Sequence, residues 1–214
     1  MSTGTSRQGT AHTSQSSREH INALRAAQAL KDRRRKLWIR VASISATVAV
    51  IGIVAAMMLT SRQQTSSVAR VAPDFTLTST SGTQVSLSAF RGKNVLLYFS
   101  EGAGCEACLV QMAQIEKDPA FAAAGLTVLP IVMNSKDQIT ADMATNGVRT
   151  PFLLDDGSVS TAYGTIGKGM HAGLPGHSFV LIDKSGKQRW YGEYPSMWLS
   201  DTDLLKEVND HLAS

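Results

Sequence analysis

Between Val41 and Thr60 the chain carries no charged side chain. A helix of that length crosses the roughly 30 Å hydrocarbon core of a bilayer. Arg40 and Arg62 flank the run, and a buried helix of a soluble protein rarely stays uncharged for twenty residues. A cleavable signal peptide has a shorter apolar core than this, and a shorter leader than the roughly forty residues that come first here. Ser67-Val68-Ala69 resembles a cleavage site but lies too far beyond the run, and no cysteine follows closely enough for a lipoprotein anchor. The expectation is one uncleaved transmembrane helix over 37–60.

The flanks give it a direction. Arg33, Arg34, Arg35, Lys36 and Arg40 precede the run, and only Arg62 lies close after it. Positive residues stay inside, which puts the N-terminus in the cytoplasm and residues 61–214 outside the cell membrane. Residues 1–17 are mostly Ser, Thr, Gln and Gly and read as a disordered cytoplasmic tail. Residues 18–36 read as a basic juxtamembrane helix whose Arg33–Lys36 cluster suits anionic lipid headgroups. Residues 61–70 are polar and read as a tether. The overall charge of +4 is unevenly placed: residues 1–70 hold eleven Lys and Arg against two acids, whereas 71–214 hold ten against fifteen. The part long enough to fold is acidic, which argues against a nucleic-acid partner.

Residues 71–214 suit one compact domain. Ala72–Leu77 and Ser81–Leu87 read as a hairpin around a Gly turn, and Asn94–Ser100 as a buried strand. A helix over Cys105–Phe121 follows, bent at Pro119. Leu126–Met133 reads as a second buried strand, Asp137–Thr145 as a helix, Pro151–Leu154 as a short strand, and the stretch to Tyr163 as a helical turn. Ser178–Asp183 and Gln188–Tyr191 form a hairpin across Lys184-Ser185-Gly186-Lys187, and Asp201–Leu212 closes the chain as a helix capped by Ser200 or Asp201. Alternating strands and helices predict an α/β fold, a three-layer α/β/α sandwich whose central sheet the hairpin makes mixed.

The only two cysteines, Cys105 and Cys108, stand where the Gly102-Ala103-Gly104 turn meets the helix. A thiol there meets the free N–H groups and the positive end of the helix dipole, which favour thiolate. Cys108, one turn on, shares its face and can attack a mixed disulfide on Cys105. A four-thiolate zinc site is excluded for want of further cysteines. A structural disulfide closing so small a loop would stabilise little. Copper held by Cys105, Cys108 and His171 or His177 is a chemical alternative. Glu101 and Glu106 are either exposed loop carboxylates or carriers of the Cys108 proton. Trp190, Tyr191, Tyr194, Met197 and Trp198 read as packing, or else as an exposed substrate patch.

Three separated stretches resemble the thioredoxin-like superfamily, and within it the redoxin branch of membrane-tethered oxidoreductases and peroxiredoxins. They are Ala72-Pro73-Asp74-Phe75-Thr76-Leu77 with Val85-Ser86-Leu87 and Gly92-Lys93, the strand entering Cys105-Glu106-Ala107-Cys108, and Gly173-Leu174-Pro175-Gly176-His177-Ser178-Phe179-Val180-Leu181-Ile182-Asp183. The resemblance implies a thioredoxin-like domain with Cys105, Cys108 and Pro175 as site residues. Pro175 is then expected in cis, with neighbouring backbone groups left free to pair with a substrate segment. Two departures stand out. The reductases carry Trp where Gly104 stands, and the peroxiredoxins carry Pro and Thr or Ser before their cysteine and an Arg that holds peroxide, none of which appears at the matching positions. The expected function is therefore a membrane-anchored thiol–disulfide oxidoreductase needing no cofactor beyond its own disulfide, with thiol peroxidase as the enzymatic alternative. Its expected partners are exported cysteine-containing proteins, a membrane electron donor or acceptor, and the lipid bilayer.

Overall fold

The computed structural model describes residues 31, 33–56 and 63–213, in two separate units. The expected tail over 1–17, most of the basic segment over 18–36, and residues 57–62 at the junction of span and tether lie outside the described residues. In the first unit, helix α1 (Arg33–Ala56) is long and apolar enough to cross a membrane.

The second unit is built on an eight-stranded sheet. Its strands are β1 (Gln64–Val71), β2 (Thr76–Ser79), β3 (Gln84–Ser86), β4 (Asn94–Phe99), β5 (Leu126–Val132), β6 (Leu153–Leu154), β7 (Ser178–Ile182) and β8 (Lys187–Glu193). They lie in the order β1-β8-β7-β4-β5-β6-β2-β3. The β4–β5 and β5–β6 pairs are parallel and the others antiparallel, so the sheet is mixed. Every residue of β4 from Val95 to Phe99 is buried because both faces of the sheet are covered, which is why its sequence is continuously apolar instead of alternating.

Leu96 and Tyr98 point to one face, under α2 (Glu106–Lys117), α3 (Pro119–Ala123), α4 (Lys136–Asn146) and α6 (Asp201–Leu212). Val95, Leu97 and Phe99 point to the other, where α5 (Ser158–Tyr163), the 3-10 turn Leu87–Phe90 and the Ala72–Phe75 segment cover them. The three layers are thus unequal, with one outer layer resting largely on a six-residue helix.

Two sequence expectations change. The helix foreseen over Cys105–Phe121 is two helices, because Pro119 has no N–H to continue α2 and Asp118 instead caps α3 by accepting from Ala120 N at 2.8 Å. The polar tether foreseen over 61–70 is largely β1, an edge strand laddered to β8, so the folded unit begins near Gln64 instead of residue 71. Backbone pairing holds β1, and its described side chains are exposed, so no apolar alternation marks it. Elsewhere the caps follow the sequence. Ser135 and Gln138 form a reciprocal capping box at the start of α4, and Ser200 caps α6 by accepting from Asp203 N.

The C-terminal end of α2 is tied to the approach to β6 by one carboxylate. Glu116 accepts from Arg149 N and Nε (2.9 Å each), Thr150 N (2.8 Å) and Thr150 Oγ1 (3.0 Å). Partial burial works to raise its pKa, but these donors outweigh it and hold the carboxyl at about 2, against an ordinary 4.5. A depressed carboxylate contributes stability that is complete above its unfolded pKa and is lost as pH falls through the folded one. Glu116→Gln is therefore expected to destabilise the protein by about 1 kcal/mol at pH 7, a figure discounted for the site's contact with solvent. The gap between variant and wild type should shrink as the pH is lowered from 4.5 toward 2. Denaturant titrations of both proteins across that range measure it.

Candidate active site

β4 ends at Phe99, and the chain then makes a tight glycine turn into α2. Gly102 and Gly104 adopt left-handed φ values of +73° and +86°, which side chains with a Cβ resist. The turn is fastened to the neighbouring parallel elements. Ala103 N donates to Asn134 Oδ1 at 2.9 Å, just beyond β5, and Gly104 N donates to Asp142 Oδ2 at 2.8 Å on α4. Cys105 is the N-cap of α2, and its N–H closes the turn onto Gly102 O at 3.0 Å.

Cys105 and Cys108 form a disulfide with Cα atoms 5.3 Å apart. The two sulfurs are not equivalent. Cys105, at the helix end, is 6% exposed, whereas Cys108 is 0% exposed and packs in the larger core cluster. Cys105 occupies the N-cap position, and no side-chain hydrogen bond caps the helix there. A thiolate at Cys105 is thus the natural acceptor for the N–H groups of the first turn, and it is the sulfur nearer to a partner.

Tyr98 and His177 meet behind Cys108. Tyr98 Oη lies 3.0 Å from the backbone oxygen of Cys108 and 3.2 Å from His177 Nδ1. Its ring stacks on Phe179 at 4.8 Å and meets His177 edge-on at 5.0 Å. Burial pushes the Tyr98 hydroxyl well above its ordinary value. Ser100 nearby offsets this in part, although the Ser100 hydroxyl falls short of full hydrogen-bond geometry with any protein group. Burial pushes the His177 imidazole down to about 3. Both rings are therefore neutral at physiological pH.

The remaining expected site residues are placed as follows. Glu106 is exposed in the first turn of α2, the plain loop-carboxylate position. Glu101 is not an exposed carboxylate. It is 2% exposed, and its two oxygens accept from His171 N at 2.9 Å and pair with His171 Nδ1 at 2.7 Å. This pins the glycine-rich excursion between α5 and β7 onto the active-site turn. Pro175 is buried, and no peptide bond among the described residues is cis, which corrects the expected cis imide. The backbone beside it is also occupied, since Leu174 O accepts from Gly167 N and Gly176 N donates to Thr165 O, at 2.9 Å each. That small ladder, with its Ile166–Pro175 bridge, pairs the excursion with itself.

No three His, Cys, Asp or Glu side chains among the described residues are grouped to hold a metal ion. Trp190, Tyr194 and Met197 are buried core residues, and Trp198 alone of the aromatic patch is markedly exposed. The residue that sequence reasoning undervalued is His177. The signal for it was register: Phe99 pairs with Ser178, so the residue before Ser178 borders the end of β4 that leads to the cysteines.

Residues 68–191 match the family described as AhpC/TSA. A candidate peroxiredoxin of Mycobacterium tuberculosis (strain ATCC 25618 / H37Rv) is 33% identical over 122 residues, covering 54% of this chain and 78% of that protein. Among solved structures, a candidate protein disulfide isomerase from Bacteroides thetaiotaomicron superposes with a TM-score of 0.53 at 29% identity, covering 68% of this chain and 89% of the other. The reduced 2-Cys peroxiredoxin of Plasmodium vivax superposes with a TM-score of 0.58 at 22% identity, covering 68% and 96%, a likeness of fold.

The turn before Cys105 has little room for change. A Cβ on Gly102 would collide with Asn134 Oδ1 and Val132 Cγ1, in a backbone conformation that already costs about 1–2 kcal/mol for an L-residue. Gly102→Ala is expected to lower stability by at least about 2 kcal/mol. Gly104→Ala has the same backbone handicap but meets nothing within 4 Å, so it should cost less. Thermal unfolding of the two variants side by side checks the order.

Proposed function

We propose that this chain, which belongs to the AhpC/TSA family of the thioredoxin-like superfamily, is a membrane-anchored thiol–disulfide oxidoreductase cycling through the Cys105–Cys108 couple. The observation that carries this reading is a disulfide at the start of α2 that joins the helix N-cap residue, slightly exposed, to a fully buried residue one turn on. An exchange enzyme needs one sulfur that a partner can reach and one that waits inside. In the reducing direction the Cys105 thiolate attacks a partner disulfide, releasing one partner thiol. Cys108 then attacks Cys105 of the mixed disulfide, releasing the second and restoring the internal bond. Run in reverse, the same steps oxidise a partner dithiol. The residues named as site residues are Cys105 and Cys108, and Pro175 is kept for shaping the neighbouring excursion.

Helix α1 and the basic residues on its N-terminal side support an anchor with the N-terminus cytoplasmic and the redox domain extracytoplasmic. That location suits exported cysteine-containing proteins as substrates and a membrane electron carrier as the renewing partner. Thiol peroxidase is a second reading, favoured by the peroxiredoxin relative. There a peroxide would oxidise Cys105 to the sulfenic acid, and Cys108 would displace water to give the same disulfide. The carboxylates that fasten the active-site turn, Glu101 and Asp142, favour exchange over a site built to gather and polarise peroxide with cationic side chains.

The full-length protein in detergent, equilibrated with glutathione redox buffers, should interconvert reversibly between dithiol and Cys105–Cys108 disulfide. Cys105→Ser should abolish exchange with a model disulfide substrate. Cys108→Ser should accumulate a mixed disulfide on Cys105, visible by mass spectrometry. Consumption of hydrogen peroxide with a dithiol donor at a rate exceeding disulfide exchange would overturn the choice in favour of the peroxidase.

A further inference from the structure

The face of the sheet under α2 is apolar except at one place. Tyr98 and His177 are fully buried there, beside Phe179 and against the turn of helix that carries Cys108. Tyr98 Oη touches two groups, the Cys108 carbonyl oxygen and His177 Nδ1. The other imidazole nitrogen, Nε2, is buried with no protein partner. A buried polar atom in that condition costs about 1–3 kcal/mol and calls for a reason.

The protons on these groups follow from counting. A tyrosine hydroxyl has one proton, and the carbonyl oxygen can only accept. If the hydroxyl donated to Nδ1, two oxygens would face each other at 3.0 Å without a proton between them. Both contacts become hydrogen bonds only when Tyr98 donates to Cys108 O and His177 Nδ1–H donates to Tyr98 Oη. In that tautomer Nε2 is a bare lone pair in the interior. It is an acceptor, and the disulfide has no proton to offer it. The reduced protein does, because Cys108 then carries an S–H in the same buried cluster.

We infer that Tyr98 and His177 are positioning residues for the redox step, with Tyr98 fixing the Nδ1–H tautomer so that His177 Nε2 accepts from the Cys108 thiol once the disulfide is opened. The inference rests on the reading of Cys105–Cys108 as a working couple and deepens it. The pair leaves an unsatisfied acceptor in the disulfide form and satisfies it in the dithiol form, so it shifts the equilibrium toward the dithiol and makes the couple more oxidising. In the resolving step the balance closes without another reagent. The Cys108 S–H, held by Nε2, gives up its proton as its sulfur bonds to Cys105, the bond between Cys105 and the partner sulfur breaks, and the departing partner thiolate takes that proton. No electrons are exchanged beyond the two that leave with the partner thiol.

The test uses the full-length protein in detergent and has two readouts. The first is the glutathione equilibrium. His177→Phe keeps a ring and removes the acceptor, and it should move the equilibrium toward the disulfide by about tenfold, while Tyr98→Phe, which frees the tautomer and loses the bond to Cys108 O in both redox forms, should move it the same way by about threefold. The second is ¹⁵N NMR of the histidine rings, with the His177 signals assigned by their loss in His177→Phe. The oxidised wild type should show the Nδ1–H tautomer, and chemical reduction should shift Nε2 in the direction of an accepted hydrogen bond. An unchanged equilibrium in both variants, or an Nε2–H tautomer in the oxidised protein, overturns the inference. Failure of the wild type to equilibrate with glutathione at all instead overturns the proposed function. The ring tautomer before and after reduction by a phosphine still decides the inference in that case, and His177→Gln supplies the assignment if His177→Phe fails to fold.

Discussion

The antiparallel register of β4 against β7 is the constraint on which the active end of this domain depends. With Phe99 opposite Ser178, β4 delivers the chain to the glycine turn and Cys105 while β7 begins beside it with His177. Both strands are buried on both faces, and a slip of one residue would turn Tyr98 and Phe179 from the helix side to the α5 side. That would cost the large aromatic contacts of both clusters at once. The register that packs the core is therefore also the one that places a tyrosine and a histidine behind the second cysteine.

Much of this was legible in the sequence for a physical reason. Buried parallel strands require continuous apolar runs, so β4 and β5 announce themselves, and capped helices carry their own signals at Ser135 and Ser200. The two cysteines at a strand-to-helix turn marked the corner where the disulfide forms. β1 was not legible because its pairing uses backbone groups and its described side chains stay in water. The burial of Glu101 was hidden as well. A lone glutamate in a turn has the composition of a surface residue, and only the return of the chain at His171, seventy residues later, encloses it. The trans bond at Pro175 and the pairing of its flanking backbone with Thr165 and Gly167 had no signal in the sequence.

The electrostatic character of the site sets this chain apart from the departures already visible in its sequence. The turn before Cys105 is held by the carboxylate of Asp142 and enclosed near that of Glu101, and Glu106 sits exposed in the first helical turn. Negative charge there opposes a thiolate, while the amides of the α2 N-terminus favour one. The opposition is uneven, because the Glu101 carboxylate is engaged by His171 N and Nδ1 and Glu106 faces water. The helix end acts on Cys105 at contact distance, and the exposed acid is screened.

The buried cysteine obeys a different rule. Cys108 lies among apolar side chains, where a thiolate has no solvent to support it and the neutral thiol is the stable reduced form. A neutral thiol attacks slowly, so a buried resolving cysteine gains from a nearby acceptor that orients and polarises its S–H. The charged acids of this site lie on the turn and the helix surface, at the Cys105 side. On the sheet side of Cys108 the polar groups are uncharged ones, Tyr98 and His177, held together by a hydrogen bond and by ring packing with Phe179. An uncharged acceptor is what the interior tolerates before the step. The hydrogen bond polarises the S–H while His177 stays uncharged. The division of labour between the two sulfurs thus follows from their surroundings: the helix end and solvent serve the one that meets the partner, and a neutral buried pair serves the one that never leaves the core.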